Sequence, residues 1–357
     1  MTPADSFAPR ENKPAALALV SGGLDSMLAV RLLREQGVAV EALTFVSVFS
    51  PGRSEKGGGA ARRTMDALSV PLTVRDASAA MMRFVPEPRF GWGKHLNPCM
   101  DCRAHYLSVA KTMLDELGAS YVVTGEVLGQ RPMSQHREAM GRVERAAGLQ
   151  GLVLRPLTAL NLEPTIPEQK GWVDRERLLG IRGRSRATQN ELVAKWGLSG
   201  FNTPAGGCLL TDAQFAYKLE DLFNYEGLTP NDAHLLKYGR HFRLGARARA
   251  IVGRDERENA RIVTFRRPGD WILVAAAGSS PETLLRGEAT DRNLEIAGRL
   301  TARYSGHRRE AEVEILARAA DSTLCGGDGA LPAPVERRYT VAPADDALVD
   351  DLAVRRK

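Results

Sequence analysis

The 357-residue sequence predicts an α/β fold: a parallel, doubly wound sheet followed by a smaller α+β C-terminal domain. Up to about residue 200, short apolar runs alternate with segments of helical periodicity, and this alternation is typical of parallel sheets. Beyond that point the alternation weakens, and the apolar runs suit strands of a different, mixed domain. The length also exceeds the usual range of single domains, which favours two.

The predicted elements of the first domain follow one another closely. In chain order they are a strand at Ala15–Val20, a helix at Asp25–Gln36, a strand at Val38–Val48, a loop at Ser50–Gly59, a strand at Leu72–Val74, a helix at Tyr106–Leu117 and a strand at Tyr121–Thr124. Gly37 and Gly118 follow the two helices, where glycine commonly ends a helix. In the second domain, Ala248–Val252 and Trp271–Ala277 are predicted strands.

The composition is that of an ordinary globular protein, with 43% hydrophobic and 26% charged residues. No apolar run approaches the ~20 residues that span a bilayer, and the polar start differs from a signal peptide. We therefore expect a cytoplasmic protein with no membrane partner. The net charge of +6 and the pI near 9.2 suit a polyanionic partner without identifying one.

Composition along the chain predicts four segments. Residues 1–14 are expected to be a disordered tail, 15–215 the α/β domain, 216–330 a basic domain and 331–357 a flexible tail rich in alanine, proline and charge.

A glycine-rich string, Ser-Gly-Gly-Leu-Asp-Ser, joins the first predicted strand to the first helix at residues 21–26. Such a junction directs backbone N–H groups and a helix N-terminus to one point, and Gly22 and Gly23 leave room for close approach. The string therefore predicts an anion-binding loop. The alternative is an ordinary turn with Asp25 or Ser26 as the N-cap. A Walker loop is excluded, because no lysine precedes Ser26.

Four cysteines are too few for a disulfide framework in a chain of this length. Cys99 and Cys102 form a CxxC at a predicted helix start, and Cys208 follows two glycines. Three thiolates without a fourth ligand favour an iron–sulfur cluster with one open iron, or else a catalytic pair with a resolving cysteine. An inert pair and a zinc half-site are the alternatives for the CxxC. Cys325 is taken as incidental.

Together these motifs make the sequence resemble the PP-loop ATP pyrophosphatases, which have an adenine nucleotide alpha hydrolase-like domain, and in particular the tRNA-thiolating 2-thiouridylases and 4-thiouridine synthetases. The resemblance covers about residues 15–215. It depends on SGGLDS, on NPCMDC before a helix, on LGASYVVTGEVLGQRP, on LRPL at 154–157 and on a distant single cysteine. In Thr124-Gly125-Glu126, glutamate stands where these families have histidine.

This resemblance implies ATP-dependent tRNA thiolation: adenylation of a uridine carbonyl, release of pyrophosphate and substitution by sulfur. It implies that Asp25, Cys102 and Cys208 are catalytic. The expected ATP-binding residues are Ser21, Gly22, Gly23, Leu24, Asp25, Ser26, Gly125 and Arg155. The expected ligands of a [4Fe-4S] cluster are Cys99, Cys102 and Cys208. Mg²⁺, tRNA, a sulfide source or cysteine desulfurase-type donor and a homodimer are the other expected partners.

Arginine side chains are expected to stabilise the charge that develops on the phosphates. The candidates for this role are Arg131, Arg155, Arg184 and Arg186.

The segment 238–271 is the most basic part of the chain. Its arginines are interleaved with Phe242, Phe265 and Trp271, a combination that favours RNA binding. Residues 251–259 and Gly269-Asp270-Trp271 faintly resemble the NFACT-type RNA-binding module. Two rival functions stay open: a PP-loop enzyme that acts on a small molecule, such as a sulfur transferase or amidotransferase, and a non-catalytic RNA-binding protein.

Overall fold

The chain divides into two compact units, with the boundary between Thr211 and Asp212. The structure, a computed structural model, describes residues 14–50, 58–201, 208–225, 227–320 and 335–355. The predicted tail at 1–14 therefore lies outside the described residues except for Pro14, as does Cys325. Within the described residues, no helix combines the length and apolarity needed to cross a membrane.

The first unit contains a five-stranded parallel sheet with strand order β3-β2-β1-β4-β5. Its strands are β1 (Ala15–Leu19), β2 (Val40–Val46), β3 (Leu72–Asp76), β4 (Ala119–Thr124) and β5 (Val153–Leu154). The order reverses direction at β1, so the carboxyl ends of β1 and β4 flank a topological switch point, where open α/β sheets bind ligands. The predicted doubly wound parallel sheet is confirmed.

Helices cover both faces of this sheet. They are α1 (Leu24–Glu35), α2 (Gly59–Ala67), α3 (Ser78–Phe84), α4 (Cys99–Met113), α5 (Arg137–Ala147), α6 (Ile166–Gln169) and α7 (Ala187–Trp196). Successive residues of a strand point to opposite faces. Accordingly, Ala16 and Ala18 of β1 pack with α1 and α2, whereas Leu17 and Leu19 pack with α4 and α5. The alternating pattern of β1 thus builds two hydrophobic cores, one on each face.

The second unit is built on a six-stranded antiparallel sheet with order β11-β10-β8-β9-β7-β6. Its strands are β6 (Arg240–Gly245), β7 (Ala248–Val252), β8 (Trp271–Ala275), β9 (Thr283–Gly287), β10 (Val313–Ala319) and β11 (Glu336–Val341). Its helices are α8 (Ala213–Tyr225), α9 (Pro230–Leu235), α10 (Glu256–Thr264), α11 (Asp291–Arg303) and α12 (Asp346–Leu352). The predicted smaller α+β domain is confirmed.

The prediction of a flexible tail at 331–357 is wrong for residues 335–355. β11 pairs with β10 along its whole length, and Val341 and Ala344 are buried in the core of the unit. The Tyr339 hydroxyl donates a 2.7 Å hydrogen bond to the Leu294 carbonyl of α11. Because the segment is rich in charge and alanine, sequence analysis did not predict this short edge strand. The exposed face of the strand is polar because it meets solvent.

Candidate functional site

The glycine-rich loop follows β1 and leads directly into α1. Gly23 is the N-cap of α1, and Gly22 has a φ of +73°, which is open to glycine at little cost. A Cβ at Gly22 would lie 2.4 Å from the backbone of Ala60 and Ala61 in the first turn of α2. The loop therefore lies against the start of α2, and only glycine fits there.

Two serines form hydrogen bonds within this loop, but two of its backbone N–H groups are bonded only weakly. The Ser26 hydroxyl donates to the Gly23 carbonyl at 2.8 Å. The Ser21 N–H reaches the Ser26 hydroxyl, and the Gly23 N–H the Ser21 hydroxyl, only at 3.4 Å. Hydrogen bonds of this length are weak, so both N–H groups can donate to a bound anion instead. The Leu24 side chain is buried, so Leu24 can offer a ligand only its backbone.

Asp25, in the first turn of α1, is the centre of a cluster of side chains from distant parts of the chain. Its carboxylate accepts hydrogen bonds from Gln130 Nε2 at 2.8 Å and from Gln189 Nε2 at 3.4 Å. A guanidinium nitrogen of Arg186 lies 3.7 Å away. Within the described residues, the buried amide oxygens of Gln130 and Gln189 have no hydrogen-bond donor. Two acceptors therefore stand beside Asp25 for a ligand's hydroxyl, amine or bound water.

Sequence analysis identified Asp25 and Arg186 but missed the two glutamines. A lone glutamine in a polar segment carries no signal by spacing, and Gln189 is contributed by α7, far along the chain. Arg131 and Arg184 are exposed, and no ion pair is found for either among the described residues.

Gly125 joins this cluster to the end of β4. A Cβ at Gly125 would lie 2.6 Å from the Asp25 carbonyl and from the Ser26 N–H nitrogen. The backbone after β4 therefore touches the first turn of α1, as close approach of backbone to a ligand loop requires.

Glu126 and Arg155 form a buried ion-pair network behind the loop. Glu126 accepts hydrogen bonds from Arg155 Nε at 3.0 Å and from the Thr124 hydroxyl at 3.1 Å, and Arg103 Nε lies 3.4 Å away. Burial alone would raise the pKa of Glu126, but Arg103 and Arg155 outweigh burial and lower that pKa. A second carboxylate, Glu144, accepts from Arg155 at 2.5 Å.

Arg155 is only 4% exposed and its charge is balanced by these two glutamates. The expectation that Arg155 binds ATP stays a prediction. Its Nε and one terminal nitrogen are paired with Glu126 and Glu144, whereas the other terminal nitrogen is buried and has no hydrogen-bond partner among the described residues. Arg155 also fixes Glu126, whose backbone follows Gly125.

The three cysteines gather on the face of the sheet covered by α4. Cys99 is the first residue of α4, and Cys102 lies one turn later. The Asn97 side-chain amide donates to Cys99 Sγ at 3.0 Å, and the Cys208 thiol donates to the Phe49 carbonyl at 3.3 Å. The glycines before Cys208 lie outside the described residues.

The three thiols lie close enough to one another for their charges to interact. Burial raises the pKa of Cys102, and the neighbouring Cys208 and Cys99 raise it further. Burial also raises the pKa of Cys208 to about 11. Three thiolates in one site would repel one another unless a positive group were bound. A bound cationic group would therefore stabilise the charged form of these thiols.

The donor set fits a cluster better than a single ion. Among the described residues, no three His, Cys, Asp or Glu side chains are placed to hold one metal ion. In a [4Fe-4S] cluster each cysteine binds a different iron, so the ligand sulfurs are spread farther apart. Three cysteines with no fourth protein ligand among the described residues could hold such a cluster, whereas a structural zinc site needs four ligands around one ion.

In the second unit, some of the arginines predicted to bind RNA form ion pairs within the unit, and so does Arg286, which lies outside the predicted segment 238–271. Asp232 accepts from Arg249, from Arg267 at 2.9 Å and from Arg286 at 2.8 Å. Arg286 also donates to Asp270 at 2.8 Å. Arg249 and Arg286 are buried, so they stabilise the sheet rather than a ligand.

The aromatic residues of this segment also divide by burial. Phe242 is 2% exposed and belongs to the core, so its expected role in stacking on RNA bases is wrong. Phe265 stacks on His234, and Trp271 lies beneath the guanidinium of Arg337 at 5.4 Å. A cleft of about 480 Å³ remains on the surface, lined by Arg247, Arg267, Pro268, Gly269, Asp270, Arg286 and Gly287.

Two family models match separate parts of the chain. Residues 12–168 match the family described as thiamine biosynthesis protein (ThiI), and residues 239–325 match the NFACT protein RNA binding domain. A tRNA-specific 2-thiouridylase MnmA of Desulfosudis oleivorans is 27% identical over 129 residues, which cover 35% of this chain and 35% of that protein. A tRNA sulfurtransferase of Desulfurococcus amylolyticus is 31% identical over 156 residues, 42% of this chain and 31% of its own.

The chain spans about a third of the length of these curated relatives. Among solved structures, a 4-thiouridine synthetase–RNA complex with bound ATP is 23% identical, with a TM-score of 0.33 over 51% of this chain and 50% of that one. Each family match lies within one of the two units. The first unit thus resembles the PP-loop ATP pyrophosphatases of the tRNA-thiolation type, and the second resembles the NFACT RNA-binding domain.

Proposed function

We propose that this protein catalyses the ATP-dependent thiolation of a uridine in tRNA. The observation that carries the proposal is the link between its two chemical sites: Arg103, next to Cys102 on α4, pairs with Glu126, whose neighbour Gly125 touches Asp25. A loop suited to phosphates and a cluster of thiols are thereby held by one network. A sulfur transfer that consumes ATP needs both sites together.

In the first step, a uridine carbonyl oxygen attacks the α-phosphorus of ATP, the bond to the bridging oxygen breaks and pyrophosphate leaves. The loop N–H groups of Ser21 and Gly23 and the N-terminus of α1 bind the negative charge of the leaving pyrophosphate. The free amide oxygens of Gln130 and Gln189 accept from the nucleotide or from water on its Mg²⁺. Asp25 is the carboxylate that holds these two amides in place.

In the second step, sulfur bonds to the activated carbon, the carbon–oxygen bond breaks and AMP leaves. Cys99, Cys102 and Cys208 are the residues that would hold a [4Fe-4S] cluster, which would supply an iron that binds sulfide. In the alternative, Cys102 and Cys208 act as a persulfide carrier and a resolving thiol. A sulfide source supplies the sulfur in the cluster mechanism. In the persulfide mechanism a cysteine desulfurase-type donor transfers sulfane sulfur to one thiol, the second thiol releases the thiolated uridine by forming a disulfide with the first, and an external thiol reduces that disulfide. Reduced thiols and tRNA suit the cytoplasm.

The second unit supplies RNA binding in this proposal. Arginines that remain exposed there, including Arg247, Arg257 and Arg261, are suited to backbone phosphates. The buried ion pairs around Asp232 provide a rigid support for the cleft that Arg247 and Arg267 line.

The experiment is a reconstitution with the full chain, purified anaerobically, with ATP, sulfide and unmodified tRNA. We expect pyrophosphate release that depends on tRNA, together with a thiolated uridine in the nucleoside digest by mass spectrometry. The same nucleoside should be missing from tRNA of cells that lack the gene. Pyrophosphate release that does not depend on tRNA and yields no thionucleoside would instead indicate a small-molecule substrate. RNA binding without any turnover of ATP would indicate a non-catalytic protein.

A further inference from the structure

Besides the cleft of the second unit, a second cavity lined by arginines lies in the first unit. Neither the glycine-rich string at residues 21–26 nor the CxxC contributes to its lining. It has a volume of about 420 Å³ and is lined by Arg89, Phe90, Arg142, Arg145 and Ala146. The last three residues share one face of α5, because they are three and four positions apart. Arg89 and Phe90 come from the segment between α3 and α4.

The arginines of this cavity are arranged around one ring. The guanidinium carbons of Arg89 and Arg142 each lie 5.3 Å from the centre of the Phe90 ring. At this distance the ring attracts a cation without neutralising it. A guanidinium nitrogen of Arg145 would lie 3.4 Å from a Cβ at Gly141, so the Arg145 side chain extends back along α5 toward its N-terminus.

Little negative charge balances this cavity. Among the described residues, Arg142 alone of the three guanidinium groups has an ion pair, at 4.0 Å, and its partner, Glu138, is 75% exposed. Within the described residues, Arg89 and Arg145 form no ion pair. Glu144 lies on the same helix, but its carboxylate is paired with the buried Arg155. The cavity therefore keeps a surplus of positive charge at the surface.

The cavity is also held rigidly. Asp101, buried in the first turn of α4, accepts from the backbone N–H groups of Arg89 at 2.9 Å and Phe90 at 3.2 Å. On the other side, Ala139 and Val143 fix α5 in the core. Since Asp101 lies between Cys99 and Cys102, the cavity wall and the thiol site are tied to the same turn of one helix.

We propose that this cavity binds backbone phosphates of the RNA substrate, as a second RNA contact independent of the basic second unit. The inference rests on the proposed function, which supplies the RNA. Three exposed guanidinium groups from two segments suit successive phosphodiesters, whereas the backbone N–H groups of Arg89 and Phe90, which could bind a small anion, already donate to Asp101. Arginine held against an aromatic ring keeps its forked N–H groups free for phosphate.

The test uses the full chain and an unmodified, fluorescently labelled tRNA transcript, with affinity measured by anisotropy over a series of salt concentrations. The variants are Arg142→Ala/Arg145→Ala and the charge-conserving Arg142→Lys/Arg145→Lys. Arg75→Ala, on the exposed edge strand β3, is the matched control. We expect the alanine pair to lower the slope of log K against log salt by about 0.7 to 0.9 for each arginine lost. The lysine pair and the control should keep the slope of the natural chain.

Three outcomes would overturn the inference in different ways. If the natural chain binds tRNA and the alanine pair binds it with the same slope, the cavity is not an RNA contact, while the proposed function stands. If the alanine pair instead weakens binding of ATP or inorganic pyrophosphate alone, the cavity is a small-anion site. If the natural chain binds no tRNA at all, the proposed function fails and this inference fails with it.

Discussion

Arg103 Nε lies 3.4 Å from the carboxylate of Glu126, and this contact joins the helix of the CxxC to the loop that touches Asp25. Glu126 is also held by a second arginine, since Arg155 Nε donates to the same carboxylate at 3.0 Å. A shift of α4 would therefore be transmitted to the backbone at Gly125. We expect the thiol site and the phosphate loop to respond together to changes in this network.

Glu126→Gln should weaken the fold and the coupling at once. The change leaves the buried guanidinium of Arg155 short of one counter-charge, and breaking a buried ion pair costs about 3–5 kcal/mol. Chemical denaturation measures this loss in the free energy of unfolding. Glu138→Gln, at an exposed glutamate on α5, is the control and should change it by less than about 0.5 kcal/mol. Equal stability of the two variants would contradict the network.

The pH dependence of stability follows from the same residue. The folded state lowers the pKa of Glu126, so the carboxylate stabilises the fold fully above the ordinary glutamate pKa of about 4.3. That stabilisation is lost as the pH falls from there through the lowered pKa. Thermal unfolding between about pH 7 and 3 should therefore show a steeper loss below about pH 4.3 for the natural chain than for Glu126→Gln. Parallel curves would refute this.

Gly125→Ala should impair pyrophosphate release. Its Cβ would lie 2.6 Å from the backbone of Asp25, so the first turn of α1 must shift, at a cost typical of overpacking of about 1–3 kcal/mol. Gly245→Ala is a matched control, because a Cβ there meets nothing within 4 Å. We expect thermal unfolding and pyrophosphate release to change for Gly125→Ala alone. Normal turnover in that variant would show that the contact does not position the loop.

Asp25→Ala and Ser21→Ala should abolish pyrophosphate release while the fold remains. Neither side chain contributes apolar surface, and Asp25 holds Gln130 and Gln189, whose buried amide oxygens have no donor among the described residues. Asp115→Ala, at an exposed aspartate beyond α4, controls for the loss of an acid. Near-normal release from either loop variant, measured with circular dichroism to check folding, would remove the PP-loop assignment.

Cys99→Ala distinguishes the two sulfur mechanisms. If Cys99 is a cluster ligand, its loss should remove the iron and sulfide of the anaerobically purified protein and stop thiolation. If Cys102 and Cys208 form a persulfide pair, Cys99 can be replaced at modest cost and the protein should work in air. Iron and acid-labile sulfide analysis decides between them. A colourless, iron-free protein that still thiolates tRNA would eliminate the cluster.

In the second unit, substitution of a buried arginine and substitution of an exposed arginine should have different effects on stability and on tRNA binding. Arg286→Ala leaves Asp232 and Asp270 short of a partner and should lower the free energy of unfolding by about 3–5 kcal/mol. Arg257→Ala, at an exposed residue of α10, should leave stability unchanged and lower the salt slope of tRNA binding by about 0.7 to 0.9. A salt-insensitive affinity in the natural chain would contradict phosphate binding by this unit.

The sequence predicts the strand–loop–helix at 15–36 and the strand at Ala248–Val252 because local periodicity and glycine positions specify them. It predicts the cysteines as a group but not Gln130 and Gln189, which join Asp25 only through tertiary packing. Burial of Arg155 likewise depends on two glutamates from separate segments. Local patterns carry no information about such partners.

Residues 336–354 touch both margins of the six-stranded sheet. β11 forms one outer strand beside β10, and beyond α12 the Val354 N–H donates to the His241 carbonyl of β6, the strand at the opposite margin. Neither margin can fray alone, because the same stretch of chain is anchored at both. We therefore expect hydrogen exchange in this sheet to occur by one cooperative opening, and a protease cut between Val341 and Asp346 to let each margin open independently. On β6, the stretch also occupies the His241 carbonyl, one of the backbone groups at which another chain could add a strand.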